Sequence, residues 1–184
     1  MTTLYDTVSE GQYDPTLALL TGGADPNQLF FGESLVEIAV SQNYVEILKL
    51  LLSFNANPDI GSIPAIFRAI FNNDAASLKI LVAAGANKEL IYDRMRPLHL
   101  CVFYANLTMS NILIDGGANV NSLDLDKNVP LNYAVMKNNW DITRSLRKKN
   151  ADPLIKAFQG RNALEYAQFF GLEDITQLLI SPVV

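Results

Sequence analysis

A small turn-forming cluster returns five times along this chain, and a fixed period near thirty residues limits the fold more than any single motif does. The copies are Gly23-Ala24-Asp25-Pro26-Asn27, Asn55-Ala56-Asn57-Pro58-Asp59, Gly85-Ala86-Asn87, Gly117-Ala118-Asn119-Val120-Asn121 and Asn150-Ala151-Asp152-Pro153. Successive copies begin 32, 30, 32 and 33 residues apart. Each follows an apolar run, such as Ile47 to Leu52 or Ile112 to Ile114, and opens with Gly or Asn. Those residue types enter the left-handed conformation that closes a helix.

A second element keeps register with the first. It reads RPLHLC at 96–101, VPLNYA at 129–134 and NALEYA at 162–167, with weaker copies SLVEIA at 34–39 and PAIFRA at 64–69. Proline near a first turn, apolar residues at helical spacing and a closing small residue predict a helix packed tightly on a neighbour. Four places beyond the small residue stand Asn43, Asn73, Ala105, Asn138 and Gly171, mostly types that accept positive φ in a tight turn. Each period therefore predicts two short helices joined by a turn.

With these residues in view, the chain resembles the ankyrin-repeat family, whose pattern is a TPLHxA helix start, a turn, an LL helix end and a GADVN hairpin entrance. The resemblance covers essentially the whole chain. It implies an all-α solenoid of stacked helix-turn-helix units with short hairpin loops. We place a cap at 1–22, units at 23–54, 55–84, 85–116 and 117–149, and a second cap at 150–184, all within one domain. Two departures stand out. The connection over 58–63 is short, which predicts a stunted hairpin. Only His99 fills the family's first-helix histidine position, taken elsewhere by Glu37, Phe67, Asn132 and Glu165; losing that side chain's hydrogen bond predicts weakening by about 1 kcal/mol per unit.

Composition narrows the function. With 49% apolar residues the chain can bury a core, and its net charge of -5 has the wrong sign for wrapping nucleic acid. The lone Cys101 cannot form an internal disulfide, and with the lone His99 it gives no cluster for a metal. Two places apart on one helix, they face different ways, so neither activates the other. Cys101 sits where the other units have Ala39, Ala69, Ala134 and Ala167 and reads as a packing residue; His99 reads as structural. No phosphate-cradling or dinucleotide glycine motif occurs. We expect no enzyme activity, no metal and no cofactor. No apolar run approaches the roughly 18 residues that cross a bilayer, and no base precedes Lys49. A cytoplasmic monomer that does not engage membranes is expected.

The residues that the repeat leaves free carry specificity. In the ankyrin family these lie on the hairpin tips and the outer turn of the first helix, which together make a concave surface. At the helix positions this sequence has Ser41 and Gln42, Phe71 and Asn72, Phe103 and Tyr104, Met136 and Lys137, and Phe169 and Phe170. The tips add Phe30, Phe31 and Glu33, then Tyr92 and Met95, then Leu125, and finally Phe158 and Arg161. Seven of nine phenylalanines, all but Phe54 and Phe67, fall at these positions. A core-only need for phenylalanine would place it elsewhere, although individual rings can lie flat across neighbouring units. Tyr133 and Tyr166, one place before the small residue, suit either burial or exposure.

Charge is uneven as well. The first 48 residues hold seven acids and no base, so the rest carries 14 minus 12, or +2. Arg144, Arg147, Lys148 and Lys149 fall on a second helix, which the family places on the convex side. Arg147 interrupts an otherwise apolar pattern position. The expected function is to hold a partner protein on an aromatic face, as an inhibitor or immunity protein acting by occlusion. The alternative is an adaptor or effector bridging two proteins through both faces.

Overall fold

The computed structural model describes residues 2–157 and 160–182. Among them lie twelve α-helices and one two-stranded hairpin. They group into two compact units, one ending at Asn87 and the other starting at Lys88. The first holds α1 (Leu4–Ser9), α2 (Tyr13–Thr21), β1 (Leu29–Phe30), β2 (Glu33–Ser34), α3 (Leu35–Ser41), α4 (Val45–Ser53), α5 (Ala65–Phe71) and α6 (Ala75–Ala83). The second holds α7 (Pro97–Phe103), α8 (Leu107–Asp115), α9 (Pro130–Met136), α10 (Trp140–Lys148), α11 (Ala163–Phe169) and α12 (Glu173–Ile180).

Helices of six to nine residues are too short to persist alone in water, so their ends and faces must be secured by other parts of the chain. Side-chain caps secure the starts. Ser34 Oγ accepts from Glu37 N at 3.0 Å, Asp74 Oδ1 from Ser77 N at 3.0 Å, Asn106 Oδ1 from Met109 N at 3.0 Å and Asn139 Oδ1 from Ile142 N at 3.0 Å. Stacking secures the faces: α3 packs between α1 and α5 in the first unit, and α9 between α7 and α11 in the second. The small residues Ala39, Ala69, Cys101, Ala134 and Ala167 are all fully buried, which is how these helices approach so closely.

The recurring turn cluster acquires a physical reason. Its polar side chains bond forward to the next copy: Asn27 Oδ1 accepts from Asn57 N at 2.7 Å and Asp59 Oδ1 from Asn87 N at 2.9 Å. The second unit does the same with Glu89 Oε1 and Asn119 N at 2.8 Å, and Asn121 Oδ1 and Asp152 N at 2.8 Å.

Between paired helices the backbone turns through positive φ at Asn43, Asn73, Ala105 and Asn138, with values of 58°, 53°, 56° and 51°. Ala105 is the misfit, because its Cβ crowds the left-handed conformation and it lacks asparagine's short polar side chain. Ala105→Gly should therefore stabilise the protein by about 0.5 to 1 kcal/mol. Denaturant unfolding checks this; an unchanged or lower midpoint would contradict strain at Ala105.

Two expectations need correction. Substitution of the family histidine does not simply forfeit a bond. Glu37 is fully buried and accepts from Arg68 Nη2 at 2.6 Å and Ser62 Oγ at 3.0 Å. Glu165 instead accepts from Asn162 N at 2.9 Å, closing a capping box. Phe67 is buried as an apolar core residue. Asn132 alone matches the expected loss, being buried with neither amide atom bonded among the described residues. The second correction concerns Arg147, whose Nη1 donates to the Ala151 carbonyl at 2.7 Å and Nη2 to the Ser181 carbonyl at 3.2 Å. It ties down two chain segments beyond helix ends, a task no aliphatic residue can perform.

The short connection over 58–63 has the same origin as the buried pair. Ser62 leans inward on Glu37, and Gly61 runs at φ 112° with an added Cβ falling 2.6 Å from Glu37 Oε2. The stunted segment is thus folded over a buried carboxylate, and only glycine fits beside it.

Candidate functional site

In the second unit the ends of three neighbouring first helices carry the predicted side chains. Phe103 and Tyr104 close α7, Met136 and Lys137 close α9, and Phe169 and Phe170 close α11. Each pair follows a fully buried small residue by two and three places, so helical geometry turns the pair outward. Exposures are 38% for Phe103, 58% for Tyr104, 48% for Met136, 63% for Phe169 and 49% for Phe170.

These side chains are brought together in two clusters. Phe103 meets Tyr104 edge-on at 5.6 Å and Tyr133 at 6.0 Å, and Lys137 Nζ, contributed by α9, stands 4.6 Å above the Phe103 ring. Phe169 meets Phe170 at 5.2 Å, Phe170 stacks on Tyr166 at 6.2 Å, and the Arg161 guanidinium lies 4.2 Å from the Phe169 centroid. Tyr133 and Tyr166, which the sequence left open, are buried and act as the floor beneath the exposed rings. A floor of this kind fixes ring orientation before anything binds.

The hairpin beside α9 is strapped to that floor. Tyr133 OH donates to Asp124 Oδ2 at 2.7 Å, Asn128 Nδ2 donates to Tyr133 OH at 3.2 Å, and Asn128 N donates to Asp124 Oδ1 at 2.8 Å. Burial, with the Asp124 carboxylate beside it, pushes the Tyr133 phenol up. His99 Nε2 lies 3.0 Å from the Asn128 carbonyl; a carbonyl only accepts, so Nε2 carries the proton. Leu125, next to Asp124, is exposed, and Arg94 pairs with Asp126 on the adjoining turn. Sequence reading missed Asp124 and Asn128 as a set, since their only trace is an Asp and an Asn four places apart in a loop.

Burial holds His99 below its ordinary value of 6.5, outweighing the opposing pull of Asp124. The unfolded chain therefore takes up the proton first as pH falls below about 6.5, and stability present above that pH is lost. The expected slope is at most about 1.4 kcal/mol per pH unit. Urea midpoints between pH 7 and 5 should fall in the natural protein and fall less in His99→Gln; parallel curves would exclude His99 as the cause.

The other predicted residues lie as follows. In the first unit Phe30 packs on Tyr5 at 4.8 Å and is half-buried, whereas Phe31 occupies the hairpin tip at φ 52° and is 99% exposed. Glu33 pairs with Arg68 at 3.8 Å, and Phe71 is exposed at the end of α5. In the second unit Tyr92 and Met95 bridge the base of a hairpin and are half-buried. Phe158 lies outside the described residues.

Two models of the ankyrin repeat match this chain, a three-copy model over residues 98–183 and a single-repeat model over 32–63. The chain is an ankyrin-repeat protein. Solved ankyrin-repeat structures share its fold: the domain of Bcl-3 superposes with TM-score 0.81 at 22% identity, covering 98% of this chain and 85% of that one. An ankyrin repeat domain from Acinetobacter baumannii gives 0.85 at 18% identity, covering 96% and 95%. The all-α fold expected from the repeats is thereby established. Among curated relatives, the mouse nuclear factor NF-kappa-B p105 subunit is 31% identical over 147 residues, covering 74% of this ankyrin-repeat protein but 15% of the relative. The fowlpox virus ankyrin repeat protein FPV240 is 32% identical over 123 residues, covering 64% of this chain and 30% of the relative. The chain thus spans a minor part of the curated relatives it matches. Ankyrin repeats mediate protein binding, so a protein partner is the coarse function of this chain. No described helix is long and apolar enough to cross a membrane.

Proposed function

We propose that this ankyrin-repeat protein is a non-enzymatic module that holds one partner protein on the aromatic row of α7, α9 and α11, and inhibits that partner by covering it. The carrying observation is positional: at equivalent places of three successive repeats five of six side chains, all but Lys137, are large, apolar and exposed, over a floor of buried tyrosines. Each aromatic ring can bury roughly 150–250 Å². At exposures of 38–63%, four such rings offer on the order of 300–500 Å², about half of the ~800 Å² that one side of a standard interface contributes. A patch of that size on a protein surface marks a binding site.

The non-enzymatic part of the reading is supported by the fate of the reactive groups. Cys101 is buried with its thiol pushed up by desolvation, and His99 is buried against a backbone carbonyl, so neither can meet a substrate. The bridging alternative draws limited support from the basic cluster, part of which is engaged within the protein. Arg147 is committed to two carbonyls, Lys149 pairs with Asp115 at 3.0 Å, and Arg144 stacks over Trp140 at 5.2 Å. Lys148, by contrast, is exposed with no ion-pair partner among the described residues.

Affinity capture from the native host, with mass-spectrometric identification, tests the reading when the natural protein is compared with a variant lacking the Phe103 and Tyr104 rings. A protein retained by the first and lost by the second is expected. Adding the natural chain in equal amount should then suppress that protein's own activity; full residual activity would refute occlusion, and identical capture by both chains would refute the row itself.

A further inference from the structure

The row has a chemical bias beyond its apolarity. Each of its two ring clusters is topped by a cation, Lys137 over Phe103 and Arg161 over Phe169. Neither cation has an ion-pair partner among the described residues. The stretches 97–106 and 130–139, which form α7, α9 and their turns, contain no acid, and 163–172 contains only Glu165, held by the Asn162 N–H. The acids of the adjoining hairpin are already occupied: Asp124 by Tyr133 and Asn128, Asp126 by Arg94. Apart from the exposed Asp93 on the hairpin before α7, what remains unbalanced on this face is positive charge set beside apolar rings.

A ring face attracts a cation and fixes its place while leaving its charge open to a second partner. Neighbouring packed helices stand roughly 8–10 Å apart, so α7 to α11 spans on the order of 16–20 Å. An extended chain rises about 3.3 Å per residue, so about six residues cover that distance, with same-side residues about 6.6 Å apart. Two isolated cations are too few to track a phosphate backbone, whose charges recur along its whole length.

We propose that the partner is read through an extended acidic segment of about six residues, whose side chains on one side of the strand, two residues apart, include both carboxylates and apolar groups. The carboxylates meet Lys137 and Arg161, and the apolar side chains lie on Phe103, Met136 and Phe169. This deepens the reading of the row as a protein-binding face and rests on it. The chain's own first 48 residues, with seven acids and no base, offer a rival occupant in a second copy.

A displayed library of random twelve-residue peptides, selected on the purified full chain, tests this. Enriched peptides should combine Asp or Glu with Leu, Ile, Val or Phe. A synthetic copy should bind at least tenfold more tightly than its Gln-for-Glu analogue at 50 mM salt, and that margin should shrink at least fivefold at 300 mM salt. The double charge reversal Lys137→Glu with Arg161→Glu should turn the preference toward Lys-bearing analogues. Enrichment of basic or uncharged peptides, no enrichment, or indifference to the charge reversal would overturn the proposal. So would sedimentation showing a dimer that the same reversal dissolves, because a second copy would then be the occupant. If enriched peptides ignore charge yet are lost on Phe103→Ala with Tyr104→Ala, only the acidic assignment fails. If they bind that aromatic variant undiminished, the row itself is refuted.

Discussion

Changing Phe103 and Tyr104 together to alanine should weaken partner binding by about 4 kcal/mol, roughly a thousandfold, while leaving the fold intact. The size follows from their place: at the end of α7 Tyr104 is 58% and Phe103 38% exposed, so a partner would desolvate what remains of both rings, and buried aromatics near the centre of an interface dominate its energy. The cost to the free protein is smaller, because the loss is mainly the edge contact of Phe103 with Tyr133 at 6.0 Å and the Lys137 stack. Such a pair is worth about 0.5 to 1.5 kcal/mol, or a melting shift of about 1–6 °C in a chain of this size. Titration calorimetry with the captured partner and a thermal melt separate the two effects. A melting loss beyond 10 °C would mean that the rings belong to the core, and unchanged affinity would mean that the partner lies elsewhere.

Arg68→Ala should destabilise the protein by about 3–5 kcal/mol. Removing the guanidinium strands Glu37, whose side chain is fully buried and whose Oε2 already lacks a hydrogen-bond donor among the described residues. Ser62 Oγ alone cannot satisfy a buried carboxylate. The double variant Glu37→Leu with Arg68→Leu should recover most of the loss, since replacing a buried ion pair with apolar groups is often neutral. Chemical unfolding of the single and double variants measures both. A single variant within 1 kcal/mol of the natural protein would show that Glu37 tolerates isolation and would refute the prediction.

Legibility followed the range of the interaction. The helix ends, the turn asparagines and the small packing residues were readable because each is dictated by its own backbone conformation or by helical spacing within a few residues. Phe103, Tyr104, Met136, Phe169 and Phe170 were placed on the surface for the same reason: a helix fixes which way its last turn faces. Glu37 and Arg68 were not readable as a pair. Arg68 falls at a pattern position where the other units carry neutral residues, but Glu37 shares its position with Glu165, so the lone arginine 31 places away was the only sign available. Arg147 was conspicuous in the sequence for the same kind of departure, but its carbonyl partners follow only from the folded chain. Tyr133 and Tyr166 stayed ambiguous because a ring half-way between core and rim goes wherever its hydroxyl and its neighbours lead it.

By itself, then, the sequence determined the period, the helix pairs and the outward residues, all consequences of local φ preference and side-chain spacing repeated in register. Only the tertiary structure decided that Lys137 from one repeat caps the Phe103 ring of the repeat before it, that Tyr133 props the row through Asp124, and that Glu37 is paired rather than solvated. Those contacts join residues in different elements. Their energies depend on the few ångströms separating stacked helices and loops, a distance that no local pattern encodes.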